Sequence, residues 1–304
     1  MGSLDSLRGL LTGLLLLPRE VEDLKLLVGR LLLERRLAEG PYADLREAEL
    51  SVFSQFGDDG IIQYLVSHLG PLPPVFVEFG VEDYRESNTR LLLLKDGWSG
   101  LVIDSSERNL ANVRRDRLYW QHDLQVVTAF VTRENIEQIL SRAGLSGEIG
   151  LLSIDIDGND YWVWEAIESV RPVLVVVEYN SVLGPDRALT VPYEPNFQRH
   201  RAHWSGLYYG ASLAALAGLA ERKGYALIGS NSAGNNAYFV AKDRLRSPLR
   251  ALSAKEAYVR SVFRESRDRS GRVNHLRGEE RLAAIASLSI WDTEAKAMTT
   301  VGGS

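Results

Sequence analysis

An α/β chain built on a doubly wound, seven-stranded sheet, with helical extensions at both ends, is the fold class that the sequence predicts. From about residue 50, short β-branched runs alternate with helical stretches. The runs are apolar on both faces, as strands covered by helices on two sides must be. The last two runs, 225–230 and 237–242, are joined by Asn-Ser-Ala-Gly-Asn-Asn, whose Gly and Asn supply the positive-φ positions of a hairpin. Five parallel strands followed by an antiparallel hairpin result.

Along the chain, Leu4, Leu7, Leu10, Leu11, Leu14 and Leu15 stand at helical spacing, as do Val21, Leu24, Leu27, Val28, Leu31 and Leu32 after Pro18. Pro18 predicts a break, hence two amphipathic helices ending near Gly40-Pro41. They suit packing on the main domain or a homodimer through the terminal helices. A membrane-surface helix needs a more basic polar face than Arg8, Arg19 and Lys25 supply. Asp58 or Asp59 can cap a helix over Ile61–Leu69. Strands are predicted at 74–80, 100–106, 124–132, 149–158 and 172–180, and helices at 86–95, 107–116, 133–143, 159–169 and 211–223. Residues 181–210 lack a clear element and read as a lid. Residues 245–304 read as helical and charged. The domain plan is therefore 1–45 helical extension, 46–245 central domain and 246–304 helical extension.

Composition narrows the function classes. Of 304 residues, 45% are apolar, so a sizeable core is available. Lys plus Arg number 35 against 40 Asp plus Glu, a net charge of −5, which argues against a dedicated nucleic-acid binder. The absence of cysteine excludes disulfides, thiol nucleophiles and Cys-ligated metal centres. No apolar run reaches the length of a membrane span, and the N-terminal stretch, with Asp5 and no small-residue cleavage site, reads poorly as a signal peptide. A soluble cytoplasmic protein is expected.

In open α/β sheets, ligands bind at the carboxyl ends of the strands. The first strand ends Glu78-Phe79-Gly80-Val81-Glu82, and the second ends at Asp104 with Ser105 beside it. A carboxylate at Asp104 can accept hydrogen bonds from both ribose hydroxyls of a nucleoside. The pattern G-x-G-x-x-G is missing, and Glu82, Asp83 and Glu86 oppose a pyrophosphate over a helix N-terminus. S-adenosylmethionine, a sulfonium nucleoside with an amino-acid tail, fits better.

These strand ends, with the terminal hairpin, resemble the Rossmann-like class I S-adenosylmethionine-dependent methyltransferases over roughly residues 50–245. Ser54-Gln55-Phe56-Gly57-Asp58-Asp59 is similar to the S-Q-x-G-[EQ]-D opening of FkbM-like methyltransferases. Ile154-Asp155-Ile156-Asp157-Gly158-Asn159-Asp160 resembles their I-D-V-E-G-x-E, with Asp in place of Glu at 157 and 160. Glu86-Ser87-Asn88-Thr89 resembles their cofactor loop. The resemblance implies that Asp104 holds the ribose, that Glu78 and Gly80 shape the methionine end, that the Phe130 region lines the adenine, and that Ser87, Asn88, Ser105 and Asp155 also bind the cofactor.

Methyl transfer to a hydroxyl needs a base or a metal. Asp155, Asp157, Asp160 and Glu178 fall at the ends of the fourth and fifth strands, where their carboxylates should converge, and all-oxygen donors suit Mg²⁺ or Ca²⁺. The set is similar to catechol-type and macrolide-sugar O-methyltransferases; the latter carry D-G-x-H, where this chain has Asp157-Gly158-Asn159-Asp160. Asp155, Asp157 and Glu178 are candidate metal ligands. Asp160 and His203 are candidate bases, with His200 as another. The competing reading is a metal-free, hydrogen-bonded carboxylate cluster with Asp157 or Asn159 as a helix cap. The lid's Tyr193, Phe197, Trp204, Tyr208 and Tyr209 suit a sugar or other polyol ring, whereas Trp162 and Trp164 read as core. An O-methyltransferase acting on a sugar, glycan or glycosylated metabolite is expected. Another small-molecule acceptor, a non-catalytic cofactor-binding assembly subunit and a nicotinamide-dependent dehydrogenase are the alternatives.

Overall fold

Successive strand residues point to opposite faces, so the continuously apolar runs place core on both faces of one sheet. The computed structural model describes the backbone of residues 2–303 and the side chains of 17–303. Helix α1 (Gly2–Glu39) and α2 (Asp58–His68) precede β1 (Val75–Phe79), α3 (Arg90–Asp96) and β2 (Ser99–Asp104). Helices α4 (Glu107–Arg115) and α5 (Arg117–Gln121) lead to β3 (Leu124–Thr128), then α6 (Ile136–Arg142), β4 (Gly147–Ile154), α7 (Asp160–Ala166) and β5 (Val170–Glu178). A short β6 (Leu189–Thr190) and α8 (Arg199–Ala202) precede α9 (Leu213–Arg222), β7 (Tyr225–Ser230) and β8 (Asn236–Ala241). The chain closes with α10 (Ala254–Ala257), α11 (Glu279–Ala283), β9 (Ser289–Asp292) and β10 (Ala297–Thr300).

The main sheet has the order β3-β2-β1-β4-β5-β8-β7, with β1 to β5 parallel and β8 antiparallel to both neighbours. This is the predicted doubly wound, Rossmann-like sheet. Val77, Leu101, Leu152 and Val175 face α6, α7 and α9, while Phe76, Val102, Leu151 and Val176 face α2, α3 and α4. The strand order reverses between β1 and β4, so the crevice opens at their carboxyl ends.

Three expectations need correction. Helix α1 passes through Pro18 without ending. Pro removes one N–H and crowds the preceding turn, at a cost of about 3 kcal/mol, and leucine-rich helix-forming sequence on both sides sustains the remaining ladder. The leucines at 4–15 lie outside the described side chains. Neither Asp58 nor Asp59 is the cap of α2. Gly57 holds that position at φ +95°, and both aspartates sit in the first turn. The tail is not a helical extension: α10 and α11 are short, Pro248, Gly271 and Gly278 interrupt it, and β9 and β10 form a hairpin. Strand β9 pairs with β6 inside the expected lid. Leu183, Leu189 and Leu207 of the lid pack on Ile285, Ile290 and Val301 of the tail. Burial of both apolar faces decides the arrangement, so lid and tail form one layer over the strand ends. Among the described residues, no helix is long and apolar enough to cross a membrane.

Candidate functional site

A cavity of about 670 Å³ lies over the carboxyl ends of β1, β2, β4 and β5. Glu78, Gly80, Ser87, Asn88, Asp104 and Ser105 line one part of it, together with Phe130. Asp155, Asp157 and Glu178 line the other. The candidate bases Asp160, His203 and His200 are not brought to its wall.

Gly80 is what lets these walls meet. Its φ is +76°, and a Cβ placed on it would stand 1.6 Å from the Asp155 carbonyl oxygen. The loops after β1 and β4 therefore touch backbone to backbone. Across the crevice, Asp104 accepts hydrogen bonds from the Glu82 and Ser106 N–H groups at 2.9 and 2.7 Å, one on each oxygen. Each oxygen keeps a free lone pair.

Glu78 is buried and accepts from the N–H groups of Asn88 (2.8 Å) and Thr89 (3.1 Å) and from the Thr89 hydroxyl. Burial outweighs those donors and pushes its carboxyl up to about 7. A carboxyl raised in the native state contributes stability that is fully present below its ordinary value of 4.5 and is lost as pH climbs through 7. The unliganded protein should therefore melt at a lower temperature at about pH 8 than at about pH 5, with Glu78 responsible for up to about 3 kcal/mol. Glu78→Gln should flatten the profile. Equal slopes in parent and variant, from melting curves across that range, would refute the assignment.

Asp155, Asp157 and Glu178 each offer an oxygen within 4.8 Å of the others. Glu178 is 9% exposed, and among the described residues its Oε2 has no hydrogen-bond partner. Burial, then the neighbouring carboxylates, drive Asp155 and Glu178 well above the usual carboxylate range. Asp157 holds φ +55°, an uncommon backbone for a non-glycine residue, and its carboxylate meets Arg199 Nη1 at 2.7 Å. Arg199 also donates to the Gly206 carbonyl and stacks on Tyr209, its guanidinium carbon 3.8 Å from the ring centre. Three carboxylates against one guanidinium leave two negative charges when all are ionised. An all-oxygen set with that excess and an unpartnered oxygen fits a hard divalent cation.

Asp160 is fully buried, and its two oxygens accept from the Ile156 (2.8 Å) and Gly158 (2.9 Å) N–H groups. It braces the loop after β4 and has no open path to an acceptor. His203 hydrogen-bonds Ser205 at 2.7 Å and packs against Trp204 with the rings tilted by 41°. His200 and Trp204 line a separate cavity. Of the lid aromatics, Phe197 and Tyr209 reach the main cavity; Tyr193 and Tyr208 are tied to Glu134 and to the Ser289 carbonyl. Trp164 is core, against Phe239 and Tyr225, as the sequence predicts.

The Ser54–Asp59 motif has a structural task. Asp59 Oδ2 accepts from the N–H groups of Val52, Phe53 and Ser54 and from the Ser54 hydroxyl. Asp58 binds Asn231, Asn236 and Tyr238, tying α2 to the hairpin. Sequence reasoning missed the tail's contribution: Ser261, Phe263, Glu265 and Arg281 also line the main cavity.

No family model matches the sequence, and no curated protein matches it. Loosely similar solved structures include an S-adenosylmethionine-dependent methyltransferase from Clostridium acetobutylicum, at TM-score 0.31 and 11% identity over 45% of this chain and 61% of that one. An O-methyltransferase from Bacillus cereus in complex with SAH aligns at TM-score 0.38 and 17% identity, over 68% and 88% of the two chains. The CurJ carbon methyltransferase aligns at TM-score 0.40 and 11% identity, over 74% and 68%. Superpositions this loose carry no argument for function, which rests on the cavity.

Proposed function

We propose that this chain is an S-adenosylmethionine-dependent O-methyltransferase that acts on a hydroxyl of a sugar, glycan or glycosylated metabolite with help from a divalent cation. The observation that carries the reading is one cavity that joins a ribose-type carboxylate, Asp104, to a crowded carboxylate cluster, beside a first loop whose Glu82, Asp83 and Glu86 repel a pyrophosphate. Phe56, Phe130, Phe197, Tyr209 and Phe263 add aromatic faces to its walls, which suits a purine at one end and a sugar ring at the other.

In this reading Asp104 holds the ribose hydroxyls, and Glu78 with the loop at Ser87 and Asn88 receives the amino-acid tail. Asp155, Asp157 and Glu178 hold the cation, which lowers the pKa of an acceptor hydroxyl when bound. The acceptor oxygen attacks the methyl carbon in line, the carbon–sulfur bond breaks, and its electron pair neutralises the sulfonium. The hydroxyl proton leaves to a carboxylate of the cluster, Asp155 or Glu178, rather than to Asp160 or His203. Arg199 keeps Asp157 oriented.

Transfer of labelled methyl from S-adenosylmethionine to a panel of glycosides tests this reading. Incorporation should fall at least about 100-fold on chelation with EDTA, return with Mg²⁺, and be lost in Glu178→Gln. Full transfer in EDTA would remove the cation from the account. No transfer to any hydroxyl acceptor, with cofactor bound, would favour a non-catalytic subunit.

A further inference from the structure

Among the described residues, the tail places one arginine in the cavity that forms no ion pair. Arg281, on α11, lines the cavity and is 8% exposed, and among the described residues its buried Nε has no hydrogen-bond partner. The strongest electrostatic influences on its charge come from Tyr209, Arg199, Tyr258 and Arg260. Two other arginines near the cavity or core have ionic partners, although the Arg90 Nε, like that of Arg30, is also buried without a hydrogen-bond partner among the described residues. Arg199 pairs with Asp157, and Arg90 with Glu22 and the Tyr84 carbonyl. A desolvated guanidinium without a partner destabilises a fold, so a ligand that completes it is the physical reason to keep one.

We propose that Arg281 receives an anionic group on the acceptor, a carboxylate, phosphate or sulfate, and so selects acidic sugars over neutral ones. This rests on the methyl-transfer reading of the cavity. The planar guanidinium matches such oxyanions with paired hydrogen bonds. The acceptor is thus held by its charge on the tail's wall, while its hydroxyl meets the carboxylates of the sheet.

The experiment uses the full chain saturated with S-adenosylhomocysteine, whose binding is measured first. Glucuronate, glucose and inorganic phosphate are then titrated by calorimetry into the parent, Arg281→Gln and Arg281→Lys. Glucuronate should bind the parent at least ten-fold more tightly than glucose, lose that advantage in Arg281→Gln and keep part of it in Arg281→Lys. Phosphate binding by the parent shows that the anion alone suffices; glucuronate binding without it shows that the sugar is also read. Arg281→Gln without probe should melt at or above the parent, which an arginine with a structural task would not allow. Equal binding of both sugars, an unchanged preference in Arg281→Gln, or a large fall in its melting temperature overturns the proposal. Absence of S-adenosylhomocysteine binding would instead overturn the cofactor reading beneath it.

A second observation stands apart from the site. One face of α1 is docked: Leu33 is buried, Leu26 and Leu37 pack inward, and Glu22 and Asp23 pair with Arg90 and Arg117. The other face is bare, with Leu17, Val21, Leu24, Val28 and Leu31 between 45% and 68% exposed. Their spacing of four, three, four and three is a heptad seam, and it runs back in the sequence through Leu14, Leu10 and Leu7. Val21 and Val28 fall at the positions where β-branched residues favour parallel pairs, with leucine at the alternate ones. In a parallel pair, Glu20 of one copy faces Lys25 of the other. We infer that α1 forms a parallel two-stranded coiled coil with a second copy of this chain. Sedimentation equilibrium should give twice the chain mass for the parent and the chain mass for a Leu24→Glu/Leu31→Glu variant. Glu20→Lys should weaken the dimer, and adding Lys25→Glu should restore it. A monomeric parent, or one that instead co-sediments with phosphatidylglycerol vesicles, would overturn the inference.

Discussion

Asp104→Ala should weaken S-adenosylhomocysteine binding at least about 100-fold. The carboxylate already anchors the Glu82 and Ser106 N–H groups, one on each oxygen. The two free lone pairs are left for vicinal hydroxyls, and each charge-assisted hydrogen bond is worth about 1.5–3 kcal/mol. Two such bonds convert to a 100-fold or larger change in affinity at about 1.4 kcal/mol per decade. Asp104→Asn keeps the shape and one good acceptor, so its loss should be smaller, on the order of ten-fold. Calorimetry reads both, with unfolding curves confirming that the variants are folded. An Asp104→Ala protein that binds as tightly as the parent would detach the ribose from this position.

Gly80→Ala should be among the most damaging small substitutions in the chain. Alanine at φ +76° is strained by about 1–2 kcal/mol. The larger effect is steric, because the new Cβ would lie 1.6 Å from the Asp155 carbonyl oxygen, and backbone cannot rotate away as a side chain can. Separating the ends of β1 and β4 should bring the total to about 4 kcal/mol or more, a melting-temperature fall on the order of 10 °C. Gly97 provides the control. Its φ is +67° with nothing within 4 Å of a Cβ, so Gly97→Ala should show the backbone strain alone. Equal falls for the two variants in thermal unfolding would show that the close approach does not matter.

The contrast between Gly80 and Arg281 shows what the sequence makes legible. The five parallel strands are short β-branched runs with helices between them, and local pattern locates them to within a few residues. Motifs at strand ends follow from topology, which is why Glu78, Gly80, Asp104, Asp155, Asp157 and Glu178 share one cavity. The chain's two ends follow other rules. Pro18 is a local signal overridden by a long helix-forming context. Strands β9 and β10 are only four residues long each, and their place is set by the pairing of β9 with β6 and by covering the apolar lid. Arg281 reaches the cavity only through that tertiary packing, so its sequence neighbourhood reads as an ordinary charged surface. Asp160 and His203 fit the spacing of a base, yet the backbone N–H groups after β4 claim the first and Ser205 with Trp204 the second.

The most direct trial is a pair of titrations of the unmodified chain, one with S-adenosylhomocysteine and one with NADH. One-to-one, saturable heat from the former and none from the latter is the predicted outcome. Tight uptake of the dinucleotide alongside indifference to the thioether nucleoside would contradict the account.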